Sequence, residues 1–287
     1  MRHSRRIAIA LASIVAIASF SLIAATSARS ANGTQNPGRN IAPIPNFYLS
    51  LFTSTSAGLT VTTPNPCFVG GMPSYVNTPG CTDVVLHAIN HARASEHVKA
   101  MVLPRNWQRL TVTQQLFVVI DLERVDRGLA PYLGMNATLD ASAHAAATLS
   151  TDPKPAPGFV KTAWGSVWAA LFSPLEADYV WMYEDGWGGI SATTNIDCTS
   201  ATSSKCWGHR EVLFDLASPP SPPIGRSCKT CEVGTGYASG HPDDNFTALI
   251  EQPTRTPPAM TFTWARNVAP FLRKVGIPHA KQNSRSR

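Results

Sequence analysis

The familiar catalytic signatures are missing from this 287-residue chain. There is no Gly-x-Ser-x-Gly elbow to present a serine nucleophile; Gly165-Ser166-Val167, the nearest approach, lacks the second glycine and any visible base. Walker and dinucleotide-binding glycine patterns are absent, which removes the usual phosphate cradles. No internal repeat is present, so nothing points to a repeat architecture. A basic surface is lacking too. The formal net charge is +6, but six of the 24 basic residues sit at the two ends, as Arg2, Arg5, Arg6, Lys281, Arg285 and Arg287. Residues 29–280 are left with 18 basic and 18 acidic side chains, which gives the folded part no electrostatic footprint for a nucleic-acid backbone.

What the ends do carry is informative. Arg2, Arg5 and Arg6 precede an apolar run from Ile7 to Ala25, and Thr26-Ser27-Ala28 supplies small residues for cleavage. Residues 1–31 therefore read as a secretory signal, with an uncleaved membrane anchor as the alternative. Ser4-Arg5-Arg6 carries a trace of a twin-arginine signal without the rest of that motif, so ordinary export is the expectation. Residues 32–80, rich in Thr, Ser, Pro and Asn, read as a linker, 81–275 as one domain with a helical beginning, and 276–287 as a basic, frayed tail.

Export changes the meaning of the six cysteines, because outside the cytosol an even number is more often a disulfide set than a metal cluster. Nearest-neighbour pairing joins Cys67 with Cys81, Cys198 with Cys206 and Cys228 with Cys231, on the sole ground that short loops close easily. Cys228-Lys229-Thr230-Cys231 could instead be half a zinc site or a redox pair. No second Cys-x-x-Cys completes a four-thiolate cage, which favours the disulfide.

Helices come first along the domain. Thr82 can cap a helix through about Met101, with Val85, Ile89 and Ala92 on one face. Thr111-Val112-Thr113-Gln114 is a capping box for a second, whose stripe is Val118, Leu122, Val125 and Leu129 and whose first half, Leu116 to Ile120, is apolar all round. Gly128 and Pro131 stop it. A third, Leu139 to Leu149, is alanine-rich and open to close approach by another element. A fourth begins at Ser173-Pro174-Leu175-Glu176, which combines a capping box with proline at the first helical position, and a short one spans Trp207 to Ala217. Strands are expected at Thr162–Ala169, Glu232–Ala238, Phe246–Gln252 and Met260–Ala265. Helices followed by strands predict an α+β domain with an antiparallel sheet.

Three constellations could carry chemistry. His87 and His91 stand at i and i+4, a spacing that can bind zinc, with His97 nearby; Ala88 replaces the glutamate that a metalloprotease needs, so the choice is between a non-catalytic metal site and a solvated helix face. Glu184 and Asp185 end the fourth helix after Trp181, where the helix dipole disfavours carboxylates and calls for a partner such as Arg210 or a cation. Cys206-Trp207-Gly208-His209-Arg210 sets an imidazole between a cysteine, an indole and a guanidinium. His209 could act as base, acid or metal ligand, or be a structural histidine. Asn245-Phe246-Thr247 also fits the glycosylation pattern.

Taken in order, these segments resemble the CAP superfamily, the SCP-like extracellular domain of cysteine-rich secretory proteins, antigen 5 and pathogenesis-related proteins, in its bacterial form. Leu122-Glu123-Arg124-Val125-Asp126-Arg127-Gly128-Leu129-Ala130-Pro131 is similar to the family's opening helix and turn. Leu139, Ala143, Ala146 and Ala147 are similar to its alanine-rich helix, Trp181 and Glu184 to its Trp-x-x-Glu, Gly208-His209-Arg210 to its Gly-His motif, and Glu232 to Tyr237 to the strand that follows. The resemblance implies an α-β-α sandwich around a central antiparallel sheet, with a cleft where two histidines and two acids can hold a divalent metal. His209 and Glu184 match two of those four. No histidine stands at Thr151 to Lys154 for the third, His144 being too early, and Gly165-Ser166-Val167 replaces the Gly-Glu-Asn that would bring the fourth.

The expectation is therefore a secreted binding or envelope-associated module without a resident cofactor, a divalent metal being held only weakly. Its ligand would be a lipid or cell-wall component, met by His209, Glu184, Trp181, Trp207 and Arg210, and its only membrane contact an uncleaved N-terminal segment. The rivals are an extracellular hydrolase with His209 as general base and Glu184 orienting it, and a structural surface protein with no active cleft.

Overall fold

The computed structural model describes residues 51–56, 59–64, 68–69, 72–73, 78–156, 163–184, 207–214, 230–240, 244–252 and 259–272. The expected export signal and basic tail lie outside them, as do Cys67, Cys198, Cys206 and Cys228. Within 51–73, part of the expected linker, Leu51–Ser56 (β1) pairs antiparallel with Leu59–Pro64 (β2), and Phe68–Val69 (β3) with Met72–Pro73 (β4).

The remaining elements make an α+β fold. Helix α1, Pro79–Ser95, starts a turn earlier than Thr82 because Thr78 accepts from the Cys81 amide and Pro79 fills the first helical position, where its missing N–H is harmless. It also ends earlier than Met101. The amides of His97 and Val98 turn back to Ala94 and Arg93, with His97 at φ 59°, a left-handed closure of the Schellman type. Helix α2, Val112–Asp126, carries both bonds of its capping box, and its segment Leu116 to Ile120 is fully buried. Burial at that depth contributes roughly 1.5–3 kcal/mol per large apolar side chain. The same backward closure ends α2 at Gly128 (φ 83°) and ends α3, Ala137–Thr148, at Ser150 (φ 53°).

Strands β5 (Ala163–Leu171), β6 (Glu232–Ala238) and β7 (Asp244–Gln252) form an antiparallel sheet in the order β5-β7-β6. Alternation gives the sheet two faces. Val233, Thr235, Phe246, Ala248, Ile250, Val167, Ala169 and Leu171 share one, and all are buried. Thr235 reaches α2 from this face, donating to the Thr113 carbonyl at 2.9 Å. Gly234 and Gly236 lie on the other, pressed against the α3 main chain at Leu139 and Ala143. The alanine-rich character of α3 thus serves the close approach that its sequence implies.

Two expectations need correction. Met260–Ala265 is not a strand: it contributes an isolated bridge from Phe262 to Met135, and Trp264–Val268 forms a π-helical turn. Thr263 starts that turn, its hydroxyl capping the Arg266 amide while Asn267 Oδ1 takes the Thr263 amide at 2.8 Å, so the extended run is cut at its middle. At the start of α4, Pro174–Tyr179, Ser173 caps the Glu176 amide, but Glu176 accepts from Phe172 rather than closing a capping box on Ser173. Helix α4 runs on into a π-helical turn, Val180–Glu184, and Gly208–Leu213 forms α5. No helix among the described residues is long and apolar enough to cross a membrane.

Candidate functional site

Helix α5, which carries His209, has only six residues and cannot be stable on its own. It is held at both ends. At its C-terminal end the Leu213 carbonyl accepts from Arg124 Nη1 at 2.7 Å and from the Tyr132 hydroxyl at 3.1 Å. Arg124 also stacks 3.9 Å from the Tyr132 ring centroid and donates to the Ala130 carbonyl, so this arginine, ahead of the Gly128-Leu129-Ala130-Pro131 turn, ties that turn to α5. Along its middle, Val212 lies over Gly165 of β5, where a Cβ would stand 2.9 Å from a valine methyl. A glycine there is what lets α5 sit down on the sheet edge.

Arg210 holds the N-terminal end. It is fully buried, donates to both Glu96 oxygens at 2.7 and 2.6 Å, and donates to the Met182 carbonyl at 3.0 Å. Its guanidinium lies 5.7 Å from the Trp207 ring centroid and 5.2 Å from that of Phe214. Arg210, expected among the ligand-binding residues, directs its charge to a bidentate carboxylate within the fold. It also donates to a carbonyl near the end of the aromatic helix, at Met182, whereas the carboxylates of Glu184 and Asp185, its expected partners, lie outside the described residues. Trp181 and Trp207 are likewise 0% exposed, with Trp181 Nε1 donating to the Trp168 carbonyl at 3.1 Å. Both indoles are core residues rather than open cleft walls. Trp207 takes a left-handed conformation (φ 66°), and its buried Nε1 has no acceptor among the described residues.

His209 itself is half-buried. Its electrostatic partner is a residue that sequence reasoning passed over. Asp152 is an exposed residue just beyond α3; desolvation of its carboxyl raises its pKa above the ordinary value, and the charge of His209 pulls it back down. No family-type histidine stands at 151–154, yet the acid in that stretch is one whose carboxyl feels the His209 charge. The expected partner, Glu184, closes the π-helical turn, and its side chain lies outside the described residues.

Beneath α5 lies a network of buried charge that was legible only as the acid-and-base run of α2. Arg93 pairs with Glu123 at 3.1 Å and with Asp126, Arg127 pairs with Glu123 and with Glu96 at 3.4 Å, and Lys99 reaches Asp126 at 2.8 Å. The Tyr183 hydroxyl donates to Glu123 at 2.9 Å and accepts from Arg127 at 3.1 Å. Burial raises the Tyr183 pKa, opposed by Arg127 and Arg93. Asp178 is fully buried with neither carboxyl oxygen hydrogen-bonded among the described residues, and desolvation pushes its pKa up to about 7 against the pull of Arg93 and Arg127.

The other sequence candidates fall elsewhere. His87 and His91 are exposed on α1, and no group of three or more metal-capable side chains occurs among the described residues. His144 Nδ1 lies 2.9 Å from the Tyr237 carbonyl, joining α3 to β6. Cys81 and Cys231 are both disulfide-bonded. Asn245 is buried in β7 with its Oδ1 accepting from Trp168 Nε1 at 3.0 Å. In comparisons with known proteins, no family model matches the chain and no curated protein matches it significantly.

Proposed function

We propose that the chain is an exported CAP-like protein whose domain is an extracellular binding module, with His209 and Asp152 as the polar contact of its cleft. The observation that carries this reading is that the Asp152 carboxyl feels the charge of a half-buried imidazole, His209, carried on a helix too short to be placed without its tethers. The finer fold proposed is the α-β-α sandwich. In its favour are α3 on the Gly234/Gly236 face and α2 on the Thr235 face. Glu184 is proposed as a second acid beside His209. The ligand class is a lipid or cell-wall component with a hydrogen-bonding group for the imidazole. No resident cofactor is required, and a divalent metal would be held weakly by so few donors.

The same pair favours one second reading. An imidazole beside a carboxylate is also the arrangement of a general base with its orienting acid, which would make the protein an extracellular hydrolase. One experiment separates them. The secreted chain, as wild type, His209→Ala and Asp152→Asn, is co-sedimented with isolated cell envelope and with lipid vesicles, and assayed against ester, amide and glycoside substrates. The binding reading expects at least a tenfold loss of co-sedimentation in both variants, unchanged thermal stability and no turnover. Turnover that disappears with His209→Ala would replace binding by hydrolysis. Undiminished binding and no turnover in two folded variants would leave a structural protein.

A further inference from the structure

Glu96 sits where a carboxylate should not. It is the residue that closes α1, at the negative end of the helix dipole, with its side chain only 6% exposed. A buried acid in that place needs compensation, and it has two guanidinium groups: Arg127 at 3.4 Å, and Arg210 through both carboxylate oxygens. Arg127 is in turn fixed by Glu123 and Tyr183. The carboxylate is thus held from behind and grips α5 from the front.

What it grips is the residue next to His209. Of the tethers on α5, the Leu213 carbonyl bonds and the Val212–Gly165 contact act on the last turn. Arg210 acts on the first turn, where a rotation would swing the imidazole. The flanking backbone adds to the demand, because Trp207 directly before α5 is held in the left-handed region. From this geometry we infer that Glu96 is a positioning residue: by its two-point hold on Arg210 it sets the His209 ring against Asp152. This inference rests on the His209–Asp152 reading of the site.

The test reads the coupling between the two site residues by following the His209 ring resonances through pH with NMR. Replacing Asp152 removes an attractive negative charge, so Asp152→Asn lowers the His209 midpoint by about 0.5–1 pH unit in the otherwise wild-type chain. In a Glu96→Gln background the same change falls to less than half that shift. Arg210→Lys keeps the charge but loses the planar fork, and gives the same loss; it serves as well if Glu96→Gln fails to fold. Asp126→Asn removes an acid from the same network without touching Arg210, and leaves the coupling whole. Full coupling in both Glu96→Gln and Arg210→Lys overturns the positioning role. Equal loss in Asp126→Asn also overturns it, by showing that any loosening of the network suffices. If Asp152→Asn moves nothing in the wild-type background, the site reading itself fails and the inference falls with it.

Discussion

Gly234 of β6 lies directly against the main chain of Leu139 in α3, with no room between them for a Cβ. The obstruction is backbone, which cannot rotate away as a long side chain could. Gly234→Ala must therefore push α3 off the sheet or distort β6, and overpacking of this kind costs roughly 1–3 kcal/mol. We expect the upper part of that range, read as a lowered urea midpoint with unchanged slope. Gly208→Ala is the control, since a Cβ there meets open space.

Three helices close with a residue at positive φ, and only one of those residues is glycine. A left-handed conformation strains any residue with a Cβ by about 1–2 kcal/mol. Ser150→Gly and His97→Gly are expected to raise the thermal midpoint, with a gain in stability of about 1 kcal/mol at most for each, because glycine returns part of that gain as unfolded-chain entropy. Gly128→Ala should move it the other way. Circular dichroism melts of the three variants give the comparison, and a Ser150→Gly that melts below wild type would remove the strain argument for α3.

The Asp178 carboxyl makes stability depend on pH in an unusual sense. With a folded pKa of about 7 against a model value of 3.8, the native state holds a proton that the unfolded state has released over that interval. Protons bound preferentially by the native state mean that stability falls as pH rises from about 4 to about 7, and is flat with respect to this group above that. The full span amounts to roughly 4 kcal/mol. Asp178→Asn cannot titrate, so the contribution of this group to the decline between pH 4 and 7 should disappear in denaturation curves taken across that range.

The contrast between legible and illegible parts of the molecule follows physical range. Local rules placed the α2 capping box at Thr111 and Gln114, and β6 at Glu232–Ala238, because caps and alternation are written in adjacent residues. Alanines at α3 announced its close contact with the sheet. Competition between two local signals was harder: Thr78-Pro79 outcompeted Thr82 as the start of α1, and the Thr263–Asn267 exchange broke a β-prone run. Tertiary partnership was invisible. Nothing in sequence ties Glu96 to Arg210, 114 positions away, or marks Asp152 rather than Glu184 as the described neighbour of His209.

Asn245-Phe246-Thr247 satisfies the glycosylation pattern, but the fold argues against its use. Asn245 is 8% exposed, lies in the central strand of the sheet, and holds the Trp168 indole N–H at 3.0 Å. A glycan on its side-chain nitrogen would have to displace neighbouring side chains on that face. Secretion from a glycosylating host should therefore deliver folded chain of unmodified mass, with any chain glycosylated before folding retained and lost. Mass spectrometry of the secreted protein reads this directly, and a folded, secreted form carrying the glycan at Asn245 would contradict the buried placement of β7. Asn245→Ala gives an independent measure of the same contact: it leaves the partly buried indole N–H without its acceptor, a loss of about 1–3 kcal/mol.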